Sequence, residues 1–241
     1  MRKIRLFVAQ NNLRPSTTIK LCDNDFDYLT KVMRQKIGDQ FFVFNGIDGE
    51  FVTKIISVEK KNLIAEIGEK IAELKMVPNV TLAFALIKNV RIDFIAEKAT
   101  ELGAARFQPI ITEHTIVDKI NLERFKANVK EACEQCERND FPEIFAPKKL
   151  DKFLSEIETK DKILILCDES GRGLKASEVL SKINHQNKEI VILVGPEGGF
   201  SKREFAKMRE FENLFAISLG PRILRADTAI ISALTLVCEF L

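Results

Sequence analysis

Ile190-Val191-Ile192-Leu193-Val194-Gly195-Pro196-Glu197-Gly198-Gly199-Phe200-Ser201 runs from a wholly apolar stretch straight into a glycine-proline loop. The same order returns in the apolar run 214–219, which leads into Gly220-Pro221-Arg222-Ile223-Leu224-Arg225-Ala226-Asp227-Thr228-Ala229. A short apolar run bounded by turn residues reads as a buried strand, so each loop leaves the end of one. In open α/β sheets that edge is where ligands bind. Glycine lets main-chain N–H and C=O groups approach a ligand with no side chain between, and proline fixes φ while removing a donor. Either loop alone reads as a plain turn. Together, with the second bearing arginines and entering an apolar helix, they describe a pocket walled by main chain.

Upstream the spacing alternates between strand and helix. Residues 80–87 form a continuous apolar strand, and Ile92, Ile95, Ala96, Ala99 and Leu102 mark one helix face that Gly103 closes. A strand over 107–112 precedes a helix over about 122–138, which Pro142 must follow rather than interrupt. Residues 162–167 and 190–194 read as buried strands with a helix over 175–183 between them. Ser201 and Glu204 make a capping box for the next helix, and a last helix runs over about 228–240. This alternation predicts a mainly parallel sheet covered on both faces.

The first 70 residues read differently. Apolar residues over 5–8, 40–44, 51–58 and 63–67 fall in short or alternating runs, separated by Gly38-Asp39, Gly46 to Gly49 and Lys60-Lys61-Asn62. That is strand and hairpin chemistry, and it predicts a small β-barrel with a helical turn or more near 25–34. Residues 71–79, which include Pro78, read as the linker. The expectation is an α+β two-domain chain divided as 1–72 and 73–241.

Composition narrows the function. With 46% hydrophobic and 30% charged residues in 241, this is an ordinary globular chain. No apolar run approaches the roughly 18 residues of a membrane span, and the basic N-terminus lacks the apolar stretch and cleavage site of a signal peptide, so a cytoplasmic location without membrane partners is expected. Five cysteines at irregular spacings argue against a disulfide framework. Cys133 and Cys136 form a C-x-x-C, but with only His114 and His185 to add, four zinc ligands do not assemble, so no metal is expected. Residues 1–70 carry 12 Lys/Arg against 9 Asp/Glu and the remainder 25 against 26. A basic small domain beside a neutral α/β domain suits an enzyme that grips a polyanion.

The two loops, VGPEGGFS and LGPRILRADTA, resemble the cofactor-binding signature of the SPOUT methyltransferases, and specifically the RsmE family, which methylates N3 of a uridine in 16S ribosomal RNA. The resemblance extends through Lys88-Asn89-Val90-Arg91-Ile92-Asp93, Glu97-Lys98-Ala99-Thr100-Glu101-Leu102-Gly103, the stretch from Glu131 to Arg138, and Val32-Met33-Arg34 near Gly38-Asp39. It spans nearly the whole chain. Tyr28 stands near where the family often has histidine, and Asp227 replaces a more usual glutamate.

The resemblance implies a PUA-like β-barrel for RNA at the N-terminus. It also implies a C-terminal SPOUT domain with a deep trefoil knot that binds S-adenosylmethionine. Its partners would be ribosomal RNA or the small ribosomal subunit and a second copy of the chain, with the apolar helix carrying Ile230, Ile231, Leu234, Leu236, Val237 and Phe240 as candidate dimer contact. Cofactor contacts are expected from Val194, Gly195, Glu197, Gly198, Gly199, Leu219, Gly220, Ile223, Leu224, Arg225 and Thr228. Because the sulfonium is already activated, the remaining work is positioning and help in removing the uracil imide proton. Arg225 is the candidate for stabilising the uracil anion, and Glu197 and Asp227 are the nearest carboxylates for a base. Arg2, Arg5, Arg34, Lys88 and Arg91 are the candidate RNA contacts. The alternatives are another SPOUT enzyme acting on transfer RNA or a ribose hydroxyl, and an RNA-binding module without catalysis. A nicotinamide dehydrogenase is disfavoured because the loop lacks G-x-G-x-x-G spacing.

Overall fold

The computed structural model describes residues 3–87, 89–117, 119–157, 161–168 and 173–241, with backbone alone for Asn89 and Val90. It divides into two units, Met1–Met76 with Cys133–Phe141, and Val77–Ala132 with Pro142–Leu241.

The first unit holds β1 (Arg5–Phe7), β2 (Thr18–Cys22), α1 (Asp23–Asp27), a π-helical turn over Tyr28–Val32, β3 (Gln40–Phe44), β4 (Glu50–Val58) and β5 (Asn62–Ala72). They make one sheet in the order β1-β3-β4-β5-β2, antiparallel except for the parallel β1–β3 pair. Register shifts along β4 bend it against β5, and the sheet curves round a core that includes Leu6, Leu29, Phe41, Ile55 and Leu63. The strand β2 was not expected, although its burial alternates as a half-buried strand should, with Ile19 and Leu21 inside.

Arg5 corrects an expectation. It was a candidate RNA contact, yet it is 3% exposed and all five of its N–H donors are used. Two bond Glu50 at 2.9 and 3.2 Å, and three bond the carbonyls of Cys133, Glu134 and Arg138 at 2.9, 3.3 and 3.1 Å. Cys133 and Glu134 lie in the last turn of α3 (Leu122–Gln135), where carbonyls lack partners within the helix and cations are favoured. The capture ends the helix before the expected 138 and makes Cys133–Phe141 part of the first unit, a return that the division at 72/73 does not contain. Phe141 stacks on Phe7 at 4.1 Å between centroids. Burial pushes the Cys133 thiol up to about 12, which keeps that sulfur protonated at neutral pH.

Burial alone would raise the Glu50 carboxyl, but hydrogen bonds from Arg5 and Lys3 outweigh it and hold it below its ordinary 4.5. A carboxyl lowered in the folded state adds stability above its unfolded pKa and loses it as pH falls through the folded one. The urea midpoint of this unit is therefore expected to drop between pH 5 and acid values below about 4, and Glu50→Gln to lower the midpoint at pH 7 while flattening that dependence. An equal pH dependence in the variant would contradict it.

The second unit begins with β6 (Val80–Ala85), α2 (Asn89–Glu101) and β7 (Arg106–Ile111), and includes most of α3. After β8 (Glu143–Ile144), β9 (Lys148–Lys149) and α4 (Leu150–Glu156) come β10 (Lys162–Cys167), β11 (Leu174–Lys175), α5 (Ala176–Leu180) and β12 (Glu189–Val194). The chain closes with α6 (Lys202–Met208), β13 (Leu214–Ser218) and α7 (Ala226–Glu239). The sheet is parallel in the order β11-β13-β10-β12-β6-β7-β8, with β9 also on β7. Its central strands are buried along nearly their whole length, as a sheet covered on both faces requires. The helix α4 was not expected, though Leu150, Phe153 and Leu154 give it a buried face at helical spacing. No described helix is long and apolar enough to cross a membrane.

Candidate functional site

The strand β10 is what brings the two glycine loops together. It pairs in parallel with β12 on one side and β13 on the other, so the chains leaving Val194 and Ser218 emerge on either side of the β10 end at Cys167. Between them lies a cleft of about 450 Å³, within the range of small-molecule sites. Of the expected cofactor contacts, Val194, Gly195, Glu197, Leu219, Gly220, Ile223 and Leu224 line it. Cys167, Asp168, Lys175 and Ser218 also line it and were missed. Their signal was their place at or just past the ends of parallel strands.

Gly198, Gly199, Arg225 and Thr228 do not line the cleft. The Gly198 and Gly199 carbonyls instead face His114 Nδ1 at 2.9 and 3.1 Å, a partner the sequence did not single out. Arg225 is the extended N-cap residue of α7, at φ −69° and ψ 155°, and is exposed. Its neighbours Leu224 and Ala226 both line the cleft, which places Arg225 at the cleft's edge. Thr228 is exposed in the first turn of α7.

The two candidate carboxylates differ in their surroundings. Glu197 is exposed and lines the cleft. Asp227 pairs with Arg91 at 3.5 Å and accepts the Thr228 N–H at 2.9 Å, which joins a candidate base and a candidate RNA contact in one ion pair. Arg34 is exposed, whereas Arg2 and Lys88 lie outside the described residues.

The glycines are required for reasons internal to the loops. A Cβ on Gly195 would stand 2.8 Å from the ring of Phe200, which is itself buried. Gly220 has open space around it but sits at φ +120°, which side chains rarely adopt. The loop after β12 is anchored by the expected capping box, in which Glu204 N bonds Ser201 Oγ at 3.2 Å and Ser201 N bonds Glu204 Oε2 at 2.8 Å. Hydrogen bonds with Ser201 and Arg203 hold the Glu113 carboxyl below the usual carboxylate range.

The cleft wall combines apolar side chains with glycine-loop main chain. Val194, Leu219, Leu224, Ala226 and Ala229 supply apolar wall. In the second loop the N–H groups of Arg222, Ile223 and Leu224, all cleft-lining residues, make no backbone hydrogen bond. Among the described residues no group of three or more His, Cys, Asp or Glu could hold a metal ion.

Comparison with known proteins agrees with this geometry. A family model described as an RNA methyltransferase domain matches residues 73–238, and one described as an RNA methyltransferase PUA domain matches 21–68. The chain is 33% identical to ribosomal RNA small subunit methyltransferase E of Rickettsia conorii, over 97% of this chain and 94% of the relative. Among solved structures, a putative methyltransferase from Legionella pneumophila in complex with the cofactor SAM superposes with a TM-score of 0.86 at 30% identity, covering 99% and 98% of the two chains. Ribosomal RNA small subunit methyltransferase E from Neisseria gonorrhoeae, bound to S-adenosyl methionine, gives 0.85 at 30% identity over 97% and 95%. With its barrel-like N-terminal sheet, its parallel C-terminal sheet and the two-loop cleft at the end of β10, this chain belongs to the RNA methyltransferase family whose curated members are named ribosomal RNA small subunit methyltransferase E.

Proposed function

We propose that this protein is an S-adenosylmethionine-dependent methyltransferase that methylates N3 of a uridine in 16S ribosomal RNA. The observation that carries the reading is the cleft between the two glycine loops, lined by apolar side chains and loop residues at the ends of three parallel strands. The names of the relatives support ribosomal RNA over transfer RNA as substrate, and the two solved relatives hold the same cofactor. Bound in this cleft, S-adenosylmethionine supplies a methyl group on a positively charged sulfur. Val194, Leu219 and Leu224 would hold its apolar face, and the main chain of Gly195, Gly220, Ile223 and Leu224 its polar edges.

The chain's own residues do the rest. Glu197, exposed on the cleft wall, takes the N3 proton of the uracil, while Asp227 holds Arg91. Arg225, exposed at the edge of the cleft, stabilises the uracil anion through its forked donors. Arg34 contributes to the grip on RNA phosphates. The target base must be unstacked to present N3, so the substrate is single-stranded or remodelled RNA.

The same reading includes a knotted C-terminal domain, a homodimer and a cytoplasmic location. Strand β13 pairs with β10 and not with β12, the strand before it, which supports a threaded path. On α7, Ile230, Leu234 and Val237 are fully buried while Ile231, Leu236 and Phe240 keep partial exposure, which supports these three as dimer contacts.

Titration calorimetry tests the cleft. Wild-type protein is expected to bind S-adenosylmethionine, and Gly220→Val to weaken it at least about tenfold, near 1.4 kcal/mol, because valine cannot hold the positive φ that shapes the second loop. Unchanged affinity in a folded variant would show that the second loop is only a turn.

A further inference from the structure

We propose that His114 is the positioning residue that fixes the cofactor loop before the cofactor arrives. This rests on the assignment of the cleft to S-adenosylmethionine.

His114 lies in the turn after β7, and β7 is separated from β12 in the sheet by β6. Nothing in the strand ladder therefore ties that turn to the glycine loop. The tie is made by side chains in both directions. His114 Nδ1 approaches the carbonyls of Gly198 and Gly199, at 2.9 and 3.1 Å. Since carbonyl oxygens only accept, the ring carries a hydrogen on Nδ1. In return, buried Glu204 accepts the Glu113 N–H on Oε1 at 2.9 Å and the Ser201 N–H on Oε2 at 2.8 Å. One carboxylate thus anchors both segments, and the imidazole closes the clasp over the glycines.

Packing points the same way. A Cβ on Gly198 would come within 3.1 Å of His114 Cβ and 3.6 Å of Cγ, so the His114 side chain packs directly against this glycine. The turn that presents His114 is itself held, with Thr112 N bonded to Thr115 Oγ1 at 2.9 Å. Within the glycine loop, Gly199 N–H bonds Pro196 O at 2.9 Å, which closes the turn carrying cleft residues Pro196 and Glu197. Without the imidazole, two carbonyls lose a donor, and Gly198-Gly199 keeps only the Gly199 N–H bond to Pro196 and the anchor at Ser201 to restrict a flexible pair of glycines. His114 does not line the cleft, so its effect falls on the loop's order and through it on cofactor affinity.

Two readouts test this. The first is amide exchange of Gly199 and Phe200 in the cofactor-free protein, which needs no assumption about the ligand. The second is S-adenosylmethionine affinity by calorimetry, set against the single-turnover rate at saturating cofactor. His114→Ala is expected to speed exchange and to weaken binding, each by about tenfold, while leaving the saturated rate within about twofold. His114→Asn, whose amide nitrogen stands near the Nδ1 position, is expected to restore both. His114 is exposed, so melting curves should show both variants folded. Unchanged exchange in His114→Ala, no recovery in His114→Asn, or a slowed saturated rate at unchanged affinity would each overturn the proposal. A wild-type protein that fails to bind S-adenosylmethionine would instead overturn the reading of the cleft, with the exchange result still deciding whether the clasp orders the loop.

Discussion

Arg5→Ala is expected to cost the N-terminal unit about 3–5 kcal/mol, the cost typical of removing one partner from a buried ion pair. The variant leaves Glu50 buried with Lys3 as its remaining ion-pair partner, at 2.8 Å, and strips a donor from the Cys133, Glu134 and Arg138 carbonyls. The guanidinium also lies 4.5 Å from the centroid of Phe44, so packing is lost along with charge. The chain has no tryptophan and one tyrosine, and Tyr28 packs against the core of this unit. Its fluorescence during urea unfolding therefore reports on this unit, and a midpoint within error of wild type would contradict the account. The exposed Arg34 provides the contrast. Arg34→Gln is expected to leave the midpoint within about 0.5 kcal/mol of wild type and to weaken RNA binding with a shallower salt dependence.

Arg225→Lys carries the largest expected effect on activity. If the guanidinium stabilises charge developing on uracil, lysine keeps the charge but loses the fork, and the single-turnover rate at saturating RNA and cofactor falls roughly tenfold to a thousandfold. Since Arg225 does not line the cleft, S-adenosylmethionine affinity should stay near wild type. A phosphate-binding role predicts weaker RNA binding with a near-normal saturated rate, and that outcome would remove Arg225 from the chemical step.

The strands that build the cleft were legible because each is a dense apolar run. Residues 162–167 were read as a strand with the bounds it has, and β12 and β13 each differ by one residue at one end. The loops were legible because glycine and proline cluster at the ends of those runs. Strand order was not legible, because nothing in the β10 sequence says that β12 and β13 will flank it. Arg5 was misread for a related reason. A cation in a basic N-terminal segment suggests a phosphate, and the partner that buries it, Glu50, lies in another strand, while three more acceptors come from beyond residue 130. His114 was noted only as too scarce a residue type to build a metal site, and its importance lies in two carbonyls more than 80 residues away. Local pattern carried the elements, and long-range pairing of polar groups carried what was missed. The glycines were singled out as backbone contacts for a ligand, and the structure adds Phe200 packing at Gly195 and a positive φ at Gly220 as reasons internal to the loops.

Methyl transfer to a uracil nitrogen of ribosomal RNA can be read out atom by atom. The direct measurement uses S-adenosylmethionine with a deuterated methyl group, purified protein, and 16S ribosomal RNA or small subunits from cells lacking the gene, followed by nuclease digestion and mass mapping. One heavy methyl is expected on N3 of a single uridine in that RNA. Label on a ribose hydroxyl, label in transfer RNA alone, or no transfer from a protein that binds the cofactor would contradict it.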